Sequence, residues 1–354
     1  MTSTDLRRDL ENELAAVVPP PGDLDRAVRE GRRIRRRRRT VGTVAATVAV
    51  AVVAGVTSQL THGSTARDPR PVAPVGRLGR LDFSEGLRAY AAPGGEIHLG
   101  GQQFPASRLQ YLDTDATATP FGVLFYDAGV PRLLEESGKV ADLEPGAETT
   151  SAHFTSKVDS QAPLVAYAAV RDGQPVVTVR NLATDDVVAR RDISRDTVID
   201  GLDGGVVFLR TPDGTTTWDS RSGDVQQLAG ARTRVADVRN GVVLYSGPRP
   251  DGAAAASYRL VDGAIDAQLT YDGKYVLYWS STLEPTGGGS PVVLDQGGTS
   301  GWWAVDTDGS ILTAVPGKGS TSTVYDCEVP SGQCTELGPL STSHGDPMFI
   351  GVDM

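Results

Sequence analysis

Short runs of apolar residues, separated by Gly, Asp and Pro, make up most of this chain. From Leu81 onward almost no run has the period of a helix, and many alternate between apolar and polar residues. Alternating runs of four to eight residues bounded by turn residues are typical of β-strands. The pattern therefore predicts an all-β fold for residues 81–354.

One apolar run recurs along this region with a large apolar side chain near its centre. The copies are marked by Phe125, Tyr167, Phe208, Tyr245, Tyr278 and Leu312. Their spacings are 42, 41, 37, 33 and 34 residues. A period near 40 predicts the four-stranded blades of a β-propeller.

The residues around this core strand complete the predicted blade. A tight turn with Asn-Gly or Asp-Gly precedes it, as in Val238-Arg-Asn-Gly and Tyr271-Asp-Gly-Lys. These dipeptides supply the positive φ of a two-residue hairpin turn. A second turn follows it, as in Trp218-Asp-Ser-Arg-Ser-Gly-Asp. The predicted order is strand, tight turn, core strand, strand, Ser-Gly turn and strand.

Two of these segments resemble known propellers. The segment Ala267-Gln-Leu-Thr-Tyr-Asp-Gly-Lys-Tyr-Val-Leu-Tyr-Trp-Ser resembles the blade motif of TolB-like and WD40-like bacterial propellers. The segment that starts at Trp218 resembles the strand-turn-strand of quinoprotein-like and surface-layer propellers. The resemblance covers most of the chain and implies a fold, since this fold carries many unrelated functions.

The ends of the propeller region suggest how the ring closes. Two strand candidates, Leu87–Tyr90 and Glu96–Leu99, precede the six core strands, and one, Pro347–Val352, follows them. Pairing these ends would form a seventh blade and remove exposed sheet edges. Seven blades are favoured and six are the alternative, since fourth strands are hard to identify in the blades of Tyr245 and Tyr278.

The N-terminal part predicts a membrane anchor. Seven arginines in Arg32–Arg39 abut the uncharged stretch Thr40–Leu60. A helix over residues 40–60 would rise about 31 Å, enough to cross a bilayer core. Arginines stay in the cytoplasm, so the tail of residues 1–39, with two short helical patterns, would be cytoplasmic, and residues 81–354 extracellular beyond a linker over 61–80. A cleaved signal peptide is the alternative.

The charge distribution excludes one class of partner. Residues 1–39 carry 11 basic and 7 acidic residues, a net of +4, and the remainder carries 23 basic and 37 acidic residues, a net of −14. Nucleic-acid binding requires a basic surface, so we expect no nucleic-acid partner for the acidic part.

Cys327 and Cys334 are the only cysteines, and they flank a turn between two strand patterns. Facing residues of an antiparallel pair have Cα atoms ~4.5 Å apart, which a disulfide can bridge. We therefore expect a disulfide across a hairpin, in an oxidising compartment.

The sequence contains few residue patterns that are typical of catalysis. The sequence lacks Gly-x-Ser-x-Gly, His-Glu-x-x-His and Cys-x-x-Cys, and its four histidines share no ligand spacing. We expect no catalytic residue, cofactor or metal site.

Trp302 and Trp303 point to opposite faces of a strand, so at most one packs inward between a given pair of blades, and the other is a candidate binding surface. Burial of both by neighbouring blades is the favoured alternative.

These features favour a single-pass membrane protein of the cell membrane, whose extracytoplasmic propeller binds or scaffolds a protein or glycan without catalysis. One alternative is a propeller hydrolase or lyase with a site in the central channel. Another is an anti-sigma-like signalling protein that acts through a cytoplasmic partner of residues 1–39.

Overall fold

The computed structural model of the protein describes residues 86–92, 96–105, 116–150, 154–264, 267–278, 281–298, 302–342 and 346–350. The predicted tail, membrane-spanning segment and linker, residues 1–80, lie outside the described residues. Within those ranges, no helix combines the length and the apolar character that a membrane crossing requires.

Seven separate sheets confirm the predicted all-β propeller with seven blades. Six sheets have four strands and one has three. Blade 1 contains β1 (Tyr90–Ala91), β2 (Glu96–Leu99), β3 (Gln102–Pro105) and β27 (Met348–Phe349). Blade 2 contains β4 (Thr117–Thr119), β5 (Gly122–Asp127), β6 (Val130–Leu134) and β7 (Val140–Asp142). Blade 3 contains β8 (Ser156–Val158), β9 (Leu164–Arg171), β10 (Gln174–Asn181) and β11 (Asp186–Asp192).

The remaining blades follow in chain order. Blade 4 contains β12 (Val198–Asp203), β13 (Val206–Thr211), β14 (Gly214–Asp219) and β15 (Val225–Gly230). Blade 5 contains β16 (Arg234–Arg239), β17 (Val242–Ser246) and β18 (Arg259–Asp262). Blade 6 contains β19 (Gln268–Leu269), β20 (Tyr275–Leu277), β21 (Thr282–Pro285) and β22 (Val292–Val293). Blade 7 contains β23 (Trp302–Val305), β24 (Ile311–Pro316), β25 (Thr321–Cys327) and β26 (Cys334–Ser341).

The predicted core strands are the second strands of blades 2 to 7, namely β5, β9, β13, β17, β20 and β24. Most of their residues are buried: Tyr167 and Phe208, for example, are completely inaccessible to solvent. Each apolar cluster joins residues of neighbouring blades, as when Phe208 of blade 4 packs with Val235 and Val243 of blade 5. Burial between blades therefore explains why the core strand is the most regular feature of the sequence.

Blade 5 departs from the predicted order of strands. Its third strand, β18, runs parallel to β17. A parallel neighbour requires a crossover, and the connection from 247 to 258 contains a short 3-10 helix, Ala253–Ser257, that packs on β15 of blade 4. This crossover is the reason that a fourth strand was hard to identify near Tyr245.

The ring is closed by strands from the two ends of the propeller region. β27 pairs antiparallel with β1, with Tyr90 opposite Phe349 and Ala91 opposite Met348. β27 also contacts β23, the first strand of blade 7. The predicted closure by a seventh blade built from both ends is thereby confirmed.

Candidate functional site in the central channel

The first strands of the blades surround a common axis, here called the central channel. Neighbouring first strands contact one another: β4 with β8, β8 with β12, β12 with β16, β16 with β19, and β23 with β27. Side chains from five blades line a cavity on this axis, and its polar lining consists of Thr117, Lys157, Arg239, Gln268 and Tyr271. Its volume of about 30 Å³ suits an ordered water. Sites for organic ligands usually measure about 300 to 1,000 Å³.

Arg239 spans this cavity and connects three blades. Its Nη1 donates a hydrogen bond of 3.2 Å to the carbonyl oxygen of Val158, which belongs to blade 3. The guanidinium lies 4.5 Å from the ring centroid of Tyr271 in blade 6, within the range of a cation–π contact. Its Nε lies 3.4 Å from Oδ1 of Asp237. Burial raises the pKa of Tyr271 to about 12, although the positive charge of Arg239 opposes that shift.

Three aspartates at the ends of first strands each hold the next blade. Asp159 of blade 3 accepts the N–H of Gly205 at 2.9 Å. Asp203 of blade 4 accepts the N–H groups of Asn240 and Gly241 at 2.8 and 2.9 Å. Asp306 of blade 7 accepts those of Leu87 and Arg88, just before β1, at 3.1 and 2.7 Å. We call Asp159, Asp203 and Asp306 the inter-blade carboxylates, because each fixes the start of the next core strand.

A second polar group of residues surrounds Asp200 in β12. The Nε of Arg210 donates to both carboxylate oxygens of Asp200 at 3.0 Å. Burial raises the pKa of Asp200 to about 6, and the charges of Arg210, Lys157 and Arg234 act in the opposite direction. Lys157 comes from blade 3 and Arg234 from blade 5. We call Lys157, Arg210 and Arg234 the cationic cluster.

The predicted disulfide is confirmed. Cys327 and Cys334 are bonded, with Cα atoms 4.0 Å apart, and they face each other where β25 and β26 meet. The turn they enclose also contacts blade 6, because the N–H of Asp295 donates to the carbonyl oxygen of Gly332 at 2.8 Å. The disulfide thus stabilises a hairpin whose tip joins blades 6 and 7.

The two tryptophans lie in β23 and pack on opposite sides of blade 7. Trp303 is 5% exposed and belongs to the apolar cluster between blades 6 and 7 that includes Leu283 and Cys327. Trp302 is half-buried against the cluster between blades 7 and 1, which includes Tyr90. Their opposite orientation follows the prediction, and a role for Trp302 and Trp303 as a binding surface stays a prediction.

The Asp-Gly turns at Asp213, Asp272 and Asp308 do not all lie at the same place in their blades. Asp272 and Asp308 lie between the first and second strands, and each accepts the N–H two residues ahead, from Lys274 and Ser310, at 3.0 and 2.9 Å. Asp213 lies instead between the second and third strands of blade 4. The sequence signal Asp-Gly is the same in both turns, so it does not distinguish them.

Sequence reasoning missed the inter-blade carboxylates and the cationic cluster. The inter-blade carboxylates do carry a signal, since an apolar residue followed by Asp ends the first strand in Val158-Asp159, Leu202-Asp203 and Val305-Asp306. The members of the cationic cluster carry none, because they come from three blades and two different strands of the repeat. Among the residues whose placement is described, no group of three or more His, Cys, Asp or Glu could hold a metal ion.

Comparisons with known proteins give structural likenesses without sequence relatives. Neither the protein-family models nor the curated proteins contain a match. TolB from Acinetobacter baumannii is similar at 12% identity and a TM-score of 0.38, over 73% of this chain and 64% of that protein. A putative TolB from Agrobacterium tumefaciens is similar at 12% identity and a TM-score of 0.34, over 68% of this chain and 83% of that one. An oligogalacturonate lyase in complex with manganese shows 6% identity and a TM-score of 0.27, over 65% of this chain and 54% of that chain.

These likenesses concern the fold alone. The architecture itself is established by the seven sheets and by their closure through β27. The chain is therefore a seven-bladed β-propeller.

Proposed function

We propose that the protein is a single-pass membrane protein whose extracytoplasmic propeller binds a protein or glycan partner without catalysis. The inter-blade carboxylates carry this proposal. Their oxygens accept backbone N–H groups of the next blade, so these buried acids hold the ring in shape. A catalytic base must instead reach a proton of the substrate. A rigid ring with loops on its faces is a common platform for recognition.

Two features support an extracytoplasmic position for the propeller. The arginine run before residues 40–60 matches the charge asymmetry that keeps the N-terminus of a spanning helix in the cytoplasm. The Cys327–Cys334 disulfide fits an oxidising compartment. Both features favour an extracytoplasmic propeller, and they come from different parts of the chain.

The topology can be tested with the full chain in cells. A reporter that is active only outside the cytoplasm should work when it is fused after Arg80, and the protein should stay in the membrane fraction after an alkaline wash. A shortened soluble product would show that the apolar segment is cleaved.

The binding function can be tested with the full-length chain in detergent. We expect it to bind members of a glycan or peptide array and to turn over no chromogenic hydrolase substrate. Asp200→Asn is the informative variant, since Asp200 is the buried acid beside the cationic cluster. Turnover that this substitution abolishes at an unchanged melting temperature would favour a hydrolase or lyase instead.

A further inference from the structure

A buried carboxylate between blades 2 and 3 is surrounded by donors that all belong to blade 3. Glu144, in the connection that follows β7, is only 1% exposed. Its Oε1 accepts hydrogen bonds of 2.8 Å from Nη1 of Arg171 and Nη2 of Arg190. Its Oε2 accepts hydrogen bonds of 3.1 Å from the hydroxyl groups of Tyr167 and Thr178. We call Arg171, Arg190, Tyr167 and Thr178 the carboxylate pocket.

The strand register places these donors on one face of a single sheet. Thr178 of β10 lies directly opposite Tyr167 of β9 and Arg190 of β11. Arg171 follows Tyr167 on β9 at an even spacing, so its side chain points to the same face. Around the pocket, this face packs against apolar residues of blade 2. The carboxylate pocket is therefore built by blade 3 alone, and only the carboxylate comes from the connection.

The hydroxyl group of Tyr167 is held as a donor. Burial raises the pKa of Tyr167, so the hydroxyl stays protonated. The Nε of Arg180 donates to the hydroxyl oxygen at 3.2 Å, which directs the proton toward the connection. There the proton is shared between Glu144 and the carbonyl oxygen of Leu143, at 3.1 and 2.9 Å.

The carboxylate pocket has more positive charge than Glu144 neutralises. Arg171 and Arg190 form no other ion pair within the described ranges, so two guanidinium groups share one carboxylate. The four donors are divided equally between the two oxygens, an arrangement that suits the planar group of a carboxylate. Apolar residues of similar volume would fill such a place between blades at least as stably as buried charges do. Stability alone therefore does not explain these residues.

One side of the carboxylate pocket reaches solvent. The side chains of Arg171 and Arg190 are 32% and 39% exposed, whereas the side chain of Glu144 is inaccessible. A small anion can therefore reach the guanidinium groups from water when the side chain of Glu144 is absent. The connection has a second attachment to blade 3, since the N–H of Gly173 donates to Oε1 of Glu148 at 2.9 Å.

We infer that the carboxylate pocket is a binding site for small carboxylates, which the protein fills with its own Glu144. The tethered side chain has a high effective concentration, so an external carboxylate takes the site only when the connection withdraws Glu144. The site thus couples binding of a small anion to the position of the connection between blades 2 and 3. This inference does not depend on the proposed binding function.

Glu144→Ala removes the internal carboxylate and leaves the donors in place. The full-length variant in detergent should melt at a lower temperature than the wild type, because two guanidinium groups lose their counter-charge. Sodium acetate should raise its melting temperature by about 3 to 5 °C relative to sodium chloride of equal ionic strength, the shift expected at about ten times the dissociation constant. The wild type measures the general effect of acetate, because its site is filled.

Glu148→Ala is the matched control, since Glu148 is an exposed glutamate of the same connection. Its response to acetate should equal that of the wild type. Neutral acetamide has the shape of acetate without its charge, and it should not stabilise Glu144→Ala. Ligand-detected NMR measures binding directly: the acetate signal should broaden in the presence of Glu144→Ala and not in the presence of the wild type.

A second variant keeps the test decisive if Glu144→Ala does not fold. Glu144→Ala combined with Arg190→Gln leaves one guanidinium instead of two without a counter-charge. Acetate should still raise the melting temperature of this double variant through Arg171, Tyr167 and Thr178, by a smaller amount than in the single variant.

Three outcomes would overturn the inference. The first is that acetate stabilises neither variant beyond its effect on the wild type. The second is that acetamide stabilises Glu144→Ala as well as acetate does, and the third is that Glu148→Ala responds as strongly as Glu144→Ala. Each would mean that Glu144 only fastens the connection to blade 3. The glycan and peptide arrays test the proposed function separately.

Discussion

Asp159, Asp203 and Asp306 show how one position of the repeat determines the contact between blades. Each lies at or directly after the end of a first strand, and each accepts N–H groups at the start of the next core strand. In blade 6 the corresponding Thr270 bonds within its own turn, to Asp272 and the N–H of Tyr275. In blade 5 the corresponding Arg239 crosses the channel. The same backbone position therefore serves as an inter-blade contact, a local turn or a channel contact, according to its side chain.

Asp203→Ala should destabilise the ring by about 2 to 3 kcal/mol. The carboxylate accepts the N–H groups of Asn240 and Gly241, and its loss leaves two partly buried donors without a partner. Asp213→Ala is the matched control, because this exposed carboxylate lies in a turn of the same blade. It should change the free energy of unfolding by less than about 0.5 kcal/mol. Urea unfolding of both variants checks the prediction, and equal losses would contradict it.

Asp306 should make stability depend on pH. Burial raises its pKa from 3.8 to about 6 in the folded state. Between these two pKa values the folded state holds a proton that the unfolded state has released. The contribution of Asp306 to stability is therefore greatest below about pH 4 and falls as the pH rises to about 6. Above about pH 6 it no longer changes with pH. This rise in the pKa of Asp306 corresponds to a loss of at most about 3 kcal/mol in the free energy of unfolding.

Asp306→Asn removes this titration. The difference in free energy of unfolding between the variant and the wild type should move in favour of the variant between pH 4 and pH 7. Chemical unfolding at both pH values measures it, with Asp213→Asn as the matched control, since Asp213 is exposed and lies in a turn of another blade. A difference that does not change with pH would show that Asp306 does not titrate in this range.

At the scale of the elements, sequence reasoning predicted the regular parts of the propeller and missed the irregular ones. The core strands follow from burial on both faces, which leaves an apolar signature in each repeat, and β2 was predicted with its observed bounds, Glu96–Leu99. The parallel strand β18 was not predictable, since its position depends on a crossover that packs on another blade. The cationic cluster was not predictable for a related reason. Its members meet only when three blades stand side by side, and no local pattern records that arrangement.

Two glycines of blade 7 separate the contact between the β25–β26 hairpin and blade 6 from the backbone conformation that its turn requires. Gly332 at its tip has φ +74°, and an added Cβ would lie 2.4 Å from the carbonyl oxygen of Val293 in blade 6. Gly319, in the turn between β24 and β25, has the same φ of +74° and no atom within 4 Å of an added Cβ. The two glycines thus share the backbone requirement and differ in the contact with the neighbouring blade.

Gly332→Ala should therefore cost more than Gly319→Ala. Both substitutions place a Cβ at positive φ, which costs about 1 to 2 kcal/mol. Gly332→Ala should add about 1 to 3 kcal/mol, because the clash with Val293 must be relieved by moving the hairpin tip. Denaturant unfolding compares the two variants. Equal costs would mean that the tip shifts freely and that its contact with blade 6 stabilises little.

For the whole molecule, stability depends on how the two ends of the propeller region meet. The pairing of β1 with β27 covers two residues on each strand, which is little for a ring of this size. Other contacts strengthen it: Phe349 and Ile350 are buried at 8% and 4% exposure. The carboxylate of Asp306 holds the backbone of Leu87 and Arg88. Bringing distant chain ends together has an entropic cost, so these contacts must act together to keep the ring closed.

Deletion of residues 348–354 should open the ring. It removes β27, exposes the edge of β1, and uncovers the apolar face of blade 1. An open ring of this kind is expected to unfold at a lower temperature and to aggregate through its free edge.

Phe349→Ala keeps the backbone pairing and should cost about 3 to 5 kcal/mol through the lost burial. Val293→Ala is the control, since that side chain is 66% exposed, and it should cost less than about 0.5 kcal/mol. Melting temperature and light scattering rank the three variants, and a deletion variant that melts like Val293→Ala would show that the ring closes without β27.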